Sequence, residues 1–201
     1  MIEFPIEGDV DAGGWDLRKA LLLALAGNAV IVEWANSPIV YEERPGFRQA
    51  LLELFNEIVD PLLVARHYLG LARSHVERVG EPGPDVKLKK LFYLIRPIAA
   101  LDWMEQRGFA QLPPMNLPEC LAGASIPAEA ANEIASLIDF KSKTREMGTG
   151  PIPPAISSYI EAQYRHHGDT LGKFKGNRSG NDPRRQVAER FYRDTVEAVS
   201  G

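Results

Sequence analysis

The chain has 201 residues, of which 45% are hydrophobic, and a formal net charge of −4 at neutral pH. These values suffice for one domain, or one domain with an appended piece, and exclude both wholesale disorder and a surface that binds nucleic acid throughout. The single cysteine, Cys120, excludes an internal disulfide, and without a membrane-length apolar run or a signal peptide we expect a cytoplasmic protein with no membrane contact.

The first elements place cations at a helix start. Residues 2–7 alternate weakly and predict a strand, whose exposed edge would favour self-association. After a turn at residues 13–14, Asp16 is typical of an N-cap, and the helix that follows is expected to stop at residues 27–28. Arg18 and Lys19 fall in its first turn, where the helix dipole disfavours cations and free N–H groups favour an anion. This arrangement is typical of a phosphate site.

The rest of the chain predicts helices joined by short loops, hence a mainly α, antiparallel helical bundle. Pro61 is expected to open one helix, and Pro97 to kink a long helix over residues 86–107. We divide the chain into residues 1–44 with the N-terminal strand and junction helices, a helical domain at 45–167, a basic flexible linker at 168–183 and a C-terminal helix at 184–201.

A second cationic group lies on the predicted long helix. Lys89, Tyr93 and Arg96 are spaced to share one face, with Lys90 beside them. Like charges this close repel unless an anion lies among them, although a solvated helix face is the simpler alternative. Glu33 lies in an apolar run and needs a cationic partner, so we expect either a structural ion pair or a site residue.

Other residues that chemistry could use are less clearly arranged. Asp9 and Asp11 are spaced to share a divalent cation, but acidic turns before helices are common. Adjacent residues on a helix point to different faces, so His166 and His167 are not expected to form a zinc or catalytic site. Cys120 is expected to be a buried structural thiol.

These residues together point to a family. The residues concerned are 14–20, Asn28, Glu33-Trp34 and 37–41, followed by Lys89-Lys90, Tyr93, Arg96-Pro97 and Pro113-Pro114. In these residues the sequence resembles the RNA repair pathway DNA polymerase beta family of predicted nucleotidyltransferases. The resemblance covers most of the chain up to about residue 145. It implies a Mg²⁺-dependent transferase that uses a nucleoside triphosphate, with RNA among its acceptors.

The resemblance also implies parts that this sequence lacks. Family members carry a Gly-Ser turn and an Asp-x-Asp pair upstream of the region where this chain begins, so the N-terminal strand is expected to be left from a truncated α/β core. By position, Asp11 resembles the third metal-binding carboxylate or its neighbourhood. Without the other two carboxylates we expect little intrinsic activity.

Two functions stay open. In the first, the chain is the helical, substrate-side portion of a nucleotidyltransferase-like protein. Its Arg18, Lys19, Lys89, Lys90 and Arg96 contact nucleotide or RNA phosphate, while Tyr93 stacks on a base. In the second, it is a non-enzymatic helical module that binds RNA or a partner through the basic linker, and its buried charges are purely structural.

Overall fold

The computed structural model describes residues 2–5, 8, 12–79, 86–144, 147–173 and 182–200. The predicted carboxylates Asp9 and Asp11 lie outside these ranges, as do residues 174–181 of the predicted linker. Within them the fold is mainly α, as predicted. The helices are α1 Leu17–Leu25, α2 Ala29–Ala35, α3 Phe47–Ile58, α4 Pro61–Val79, α5 Phe92–Glu105, α6 Leu117–Ala122, α7 Ala128–Lys143, α8 Pro154–Gly172 and α9 Pro183–Ser200.

Two short antiparallel strand pairs accompany the helices. Strand β1, Ile2–Glu3, pairs with β2, Gly13–Gly14, so the predicted N-terminal strand is shorter than expected and the expected turn at residues 13–14 is its partner. Strand β3, Val86–Lys87, pairs with β4, Thr149–Gly150.

The chain divides into two compact units. Unit 1 comprises Met1–Leu63 and Asn177–Gly201, and unit 2 comprises Val64–Gly176. This division differs from the predicted one, which placed boundaries after residues 44, 167 and 183.

Unit 1 is built from α1, α2, α3 and α9, with α3 packed against α9 and α1 in contact with the other three. The Asp16 carboxylate accepts a hydrogen bond from the Lys19 backbone N–H at 2.9 Å, which confirms the predicted cap of α1. The predicted stop of α1 at residues 27–28 is confirmed, because the Asn28 backbone N–H donates to the Leu23 carbonyl at 2.9 Å. Gly27, just after the end of α1, has a left-handed φ of +71°. The Asn28 side chain caps α2 by accepting a hydrogen bond from the Val30 N–H at 2.9 Å.

Unit 2 is centred on α5, which is buried almost all round and packs against α6 and α8, while α7 packs against α8. The predicted helix over residues 86–107 is wrong at its start. Val86–Lys87 is a strand, Leu88–Leu91 is a 3₁₀ turn, and the α-helix begins only at Phe92. Pro97 is buried inside α5, which continues past it to Glu105. The predicted linker also begins too early, because α8 runs through Gly172.

Candidate functional site

The first predicted phosphate-binding pair lies in unit 1. Arg18 and Lys19 are both exposed in the first turn of α1, directly after its cap Asp16. No carboxylate within the described ranges forms an ion pair with either side chain, and the first turn itself contains no acidic residue. The two cations are therefore available at a helix N-terminus, where anions are favoured.

The second predicted pair lies in unit 2. Lys89 and Lys90 are exposed in the 3₁₀ turn, and in the described part of the chain neither is held by a carboxylate. Tyr93 follows in the first turn of α5 and is 55% exposed. Its ring stacks on His75 of α4, with 5.5 Å between centroids and an interplanar angle of 18°. Within the described residues, two lysines that no carboxylate pairs with therefore precede, by three and four positions in sequence, a tyrosine whose ring stacks on His75.

Arg96 does not share this exposed surface. Its guanidinium is half-buried, donates to the Pro114 carbonyl at 2.9 Å and approaches the Cys120 sulfur at 3.4 Å. It also lies 5.6 Å from the centre of the Tyr68 ring. The predicted stripe of three residues fails because Lys89 is in a 3₁₀ turn and Arg96 points into the protein, where its contacts fix packing. Cys120 is fully buried, as predicted.

Residues 34–41, which belong to the segment that carries the family resemblance, contribute to the lining of a groove in unit 1. Trp15 and Trp34 stack with centroids 4.4 Å apart. Trp34, Ile39, Val40 and other residues line a cavity of about 700 Å³. Glu33 is half-buried in α2.

A buried polar cluster in unit 2 was missed by the sequence analysis. Asp102 of α5 is 3% exposed, and its carboxylate accepts hydrogen bonds from the Tyr159 hydroxyl and from His167 Nε2, the latter at 2.6 Å. Tyr159 and His167 come from α8 and are 3% and 0% exposed. Burial, the Asp102 charge and the hydrogen bond to it raise the pKa of the Tyr159 hydroxyl well above its ordinary value.

One ring nitrogen of His167 has no partner among the residues that the structure describes. This atom, Nδ1, is buried and makes no hydrogen bond to them. A carboxylate oxygen accepts hydrogen bonds, so the contact with Asp102 selects the tautomer that carries its proton on Nε2, and in that tautomer Nδ1 has the lone pair. A buried polar atom in this state costs about 1–3 kcal/mol of stability.

Two further groups lie beside this cluster. His166 Nε2 is 2.7 Å from Glu105 Oε1, and the rings of His166 and His167 are 5.2 Å apart between centroids. One donor atom each of Glu105, His166 and His167 lies within 4.8 Å of the others. His166 is exposed and His167 is buried, as expected for adjacent helix positions, but their ligand atoms nevertheless lie close enough to share a metal ion, which the sequence analysis did not expect. An adjoining cleft of about 410 Å³ is lined by Asp102, Glu105, Gln106, Ser125, Ala162, Gln163 and His166.

A signal for this cluster was present in the sequence. Asp102 interrupts an otherwise apolar run in α5, the same pattern that drew attention to Glu33 in α2. Its partners could not be identified locally, because Tyr159 and His167 lie 57 and 65 residues further along the chain.

Comparison with known proteins then decides the family. The family model for the RNA repair pathway DNA polymerase beta family matches residues 1–194. The chain belongs to this family. It is similar to the uncharacterized protein YcgL of Bacillus subtilis (strain 168), with 33% identity over 163 residues, which are 81% of this chain and 62% of that relative. The chain thus spans less than two thirds of the relative's length. No solved structure gives a significant match.

Membership in the RNA repair pathway DNA polymerase beta family raises the question of a magnesium site. Magnesium prefers an octahedron of oxygen ligands. Among the described residues, Asp16 is engaged as a helix cap, and the cluster with metal-ligand spacing contains two imidazoles. Asp11, the carboxylate that the resemblance assigns to the metal, lies outside the described ranges. The described residues therefore do not fit a two-magnesium centre.

In the part of the chain that the structure describes, none of the helices combines the length and apolar character needed to cross a bilayer.

Proposed function

We propose that this chain is the helical, substrate-side portion of a nucleotidyltransferase-like protein. In nucleotidyl transfer, an acceptor hydroxyl attacks the α-phosphorus of a nucleoside triphosphate and pyrophosphate leaves, a reaction that needs cations around the phosphates. The family match over residues 1–194 supports this class of reaction. The chain's own contribution would be to hold the phosphates and the base.

The observation that carries the proposal is the surface formed by Lys89, Lys90 and the stacked rings of Tyr93 and His75. Lysines without carboxylate partners attract phosphate, and an exposed aromatic ring offers a platform for a base. Both lysines are exposed, and Tyr93 is 55% exposed while His75 holds its ring in place. Arg18 and Lys19, exposed at the start of α1, would bind a phosphate by the same chemistry.

Magnesium and the transfer step are expected to need more than these residues. The described part of the chain supplies phosphate-binding cations but no fitting set of oxygen ligands. We therefore expect the purified chain to bind nucleotide or RNA and to show little transfer activity by itself.

Binding assays on variants test the proposal. Fluorescence anisotropy would follow a labelled nucleoside triphosphate and a short labelled single-stranded RNA. The double change Lys89→Ala with Lys90→Ala should weaken binding about tenfold or more. It should also lower the slope of log K against log salt by about 1.4, the value for two lost phosphate contacts on a single strand. Tyr93→Ala should cost about 1–3 kcal/mol if a base stacks on it.

A matched control separates this surface from overall charge. Arg73 and Arg165 are exposed arginines of unit 2 that pair with Glu77 and Glu161 at 3.0 and 2.8 Å. Changing both to alanine alters the net charge by the same amount as the double lysine change. Equal losses of affinity in the two double variants would refute a specific phosphate site at Lys89 and Lys90.

The alternative is a non-enzymatic module that binds RNA. The location of Lys89 and Tyr93 on an open surface favours a strand over a small nucleotide. If RNA binds and nucleoside triphosphate does not, the module is the better description. Deleting residues 174–181 then measures how much of the RNA affinity comes from the basic segment.

A further inference from the structure

We propose that Glu105, His166 and His167 form a binding site for a transition-metal dication such as Zn²⁺. This inference is independent of nucleotide or RNA binding, since none of the three residues belongs to the proposed phosphate surfaces. It rests on the donor set, on the buried nitrogen of His167 and on the adjoining cleft.

The donor set is the first argument. One carboxylate and two imidazoles are the ligand combination of many three-residue zinc sites. Their ligand atoms already lie within 4.8 Å of one another, and the Glu105 and His166 atoms are 2.7 Å apart. Ligands about 2.0–2.1 Å from a tetrahedral zinc ion are separated by roughly 3.3 Å, so small side-chain rotations suffice to bind the ion.

The arrangement behind His167 is the second argument. Its Nε2 is hydrogen-bonded to the Asp102 carboxylate at 2.6 Å, so Nδ1 is the nitrogen left for a metal ion. That atom is buried and has no hydrogen-bond partner in the described part of the chain. Metal-binding histidines usually donate their other ring N–H to a carboxylate, which fixes the ring and makes the free nitrogen a better ligand. Asp102 is thus the positioning residue of the site, and Tyr159 holds the second Asp102 oxygen.

Access is the third argument. Glu105 and His166 line the cleft of about 410 Å³, and His166 is exposed. An ion can therefore reach two of the three ligand residues from solvent. Three protein ligands leave a fourth position for water or for an anionic oxygen of a bound molecule.

The test uses the full chain, with its affinity tag removed and freed of metal by dialysis against a chelator. Isothermal titration with ZnCl₂ should show one ion bound per chain, and titration with CoCl₂ should give the visible absorption of tetrahedral Co²⁺ with nitrogen ligands. His166→Ala and Glu105→Gln should each weaken Zn²⁺ binding at least tenfold. Both side chains are at least partly exposed, so neither change is expected to unfold the protein.

Two control variants keep the result specific. His67→Ala removes an imidazole of α4 that lies outside the cluster, and Glu161→Gln neutralises an exposed carboxylate on the same helix as His166. Both should bind Zn²⁺ as the unchanged chain does. The proposal is overturned if the unchanged chain binds no Zn²⁺ at about 100 μM, where sites of this donor type are filled. It is also overturned if the changes at His166 and Glu105 weaken binding no more than the controls.

Discussion

The hydroxyl of Tyr159 provides a direct measure of what the buried cluster contributes to stability. It donates to the carboxylate of Asp102, which is 3% exposed. Tyr159→Phe keeps the ring and its contacts but removes one of the two hydrogen bonds to that carboxylate. Hydrogen bonds to charged groups contribute about 1.5–3 kcal/mol. We therefore expect the free energy of unfolding to fall by about 2 kcal/mol.

Urea denaturation followed by far-UV circular dichroism measures this change near neutral pH. Tyr164→Phe is the matched control, because Tyr164 lies on the same helix, is half-buried and makes no hydrogen bond through its hydroxyl within the described residues. The control should lie within roughly 0.5 kcal/mol of the unchanged protein. If the two variants lose the same stability, the hydrogen bond to Asp102 has no special value and the reasoning fails.

The raised pKa of Tyr159 adds a dependence on pH. In the unfolded chain this hydroxyl loses its proton near pH 10.0, while in the folded protein it keeps the proton to higher pH. Its contribution is therefore complete below pH 10 and declines above it, by about 1.4 kcal/mol per pH unit. The stability difference between the unchanged protein and Tyr159→Phe should shrink by about 1.4 kcal/mol between about pH 9 and about pH 11. A constant difference over that range would show that the pKa is not raised.

Three further changes have effects that urea denaturation can measure. Asp16→Ala removes the cap of α1 and should cost about 1 kcal/mol, whereas Asp16→Asn should cost much less. Arg96→Met deletes the hydrogen bond to the Pro114 carbonyl and should cost about 1–2 kcal/mol, and no loss would return Arg96 to the anion-binding candidates. Gly123→Ala places a Cβ 2.5 Å from the Trp103 indole, so we expect a loss of about 1–3 kcal/mol and a changed tryptophan emission.

Local signals predicted most of the helices. Asp16 caps α1 and Pro61 opens α4, as expected, because both depend on the chemistry of one turn. The long helix predicted from residue 86 failed because residues 86–87 find a strand partner at Thr149–Gly150. A pairing over such a distance in sequence leaves no local pattern, and it overrides helical periodicity.

Contacts between residues distant in sequence also limited the prediction of the candidate site residues. The exposure of Lys89 and Lys90 agrees with their charge and spacing, but the direction of Arg96 depended on acceptors at residues 114 and 120. The hydrogen bond between Asp102 and His167 joins residues 65 positions apart in sequence. The sequence could therefore show only that Asp102 is a charged residue in an apolar run. Contacts within one turn follow from sequence patterns, whereas contacts between helices depend on the packing of the whole unit.

The discontinuous make-up of unit 1 has a consequence for biosynthesis. Its last segment begins at Asn177, after the whole of unit 2 has been translated. Helix α9, which packs against α3 and α1, therefore leaves the ribosome after unit 2. Domains fold as units during synthesis. Unit 2 can thus fold on the nascent chain before α9 is available to cover the face of α3 against which it packs.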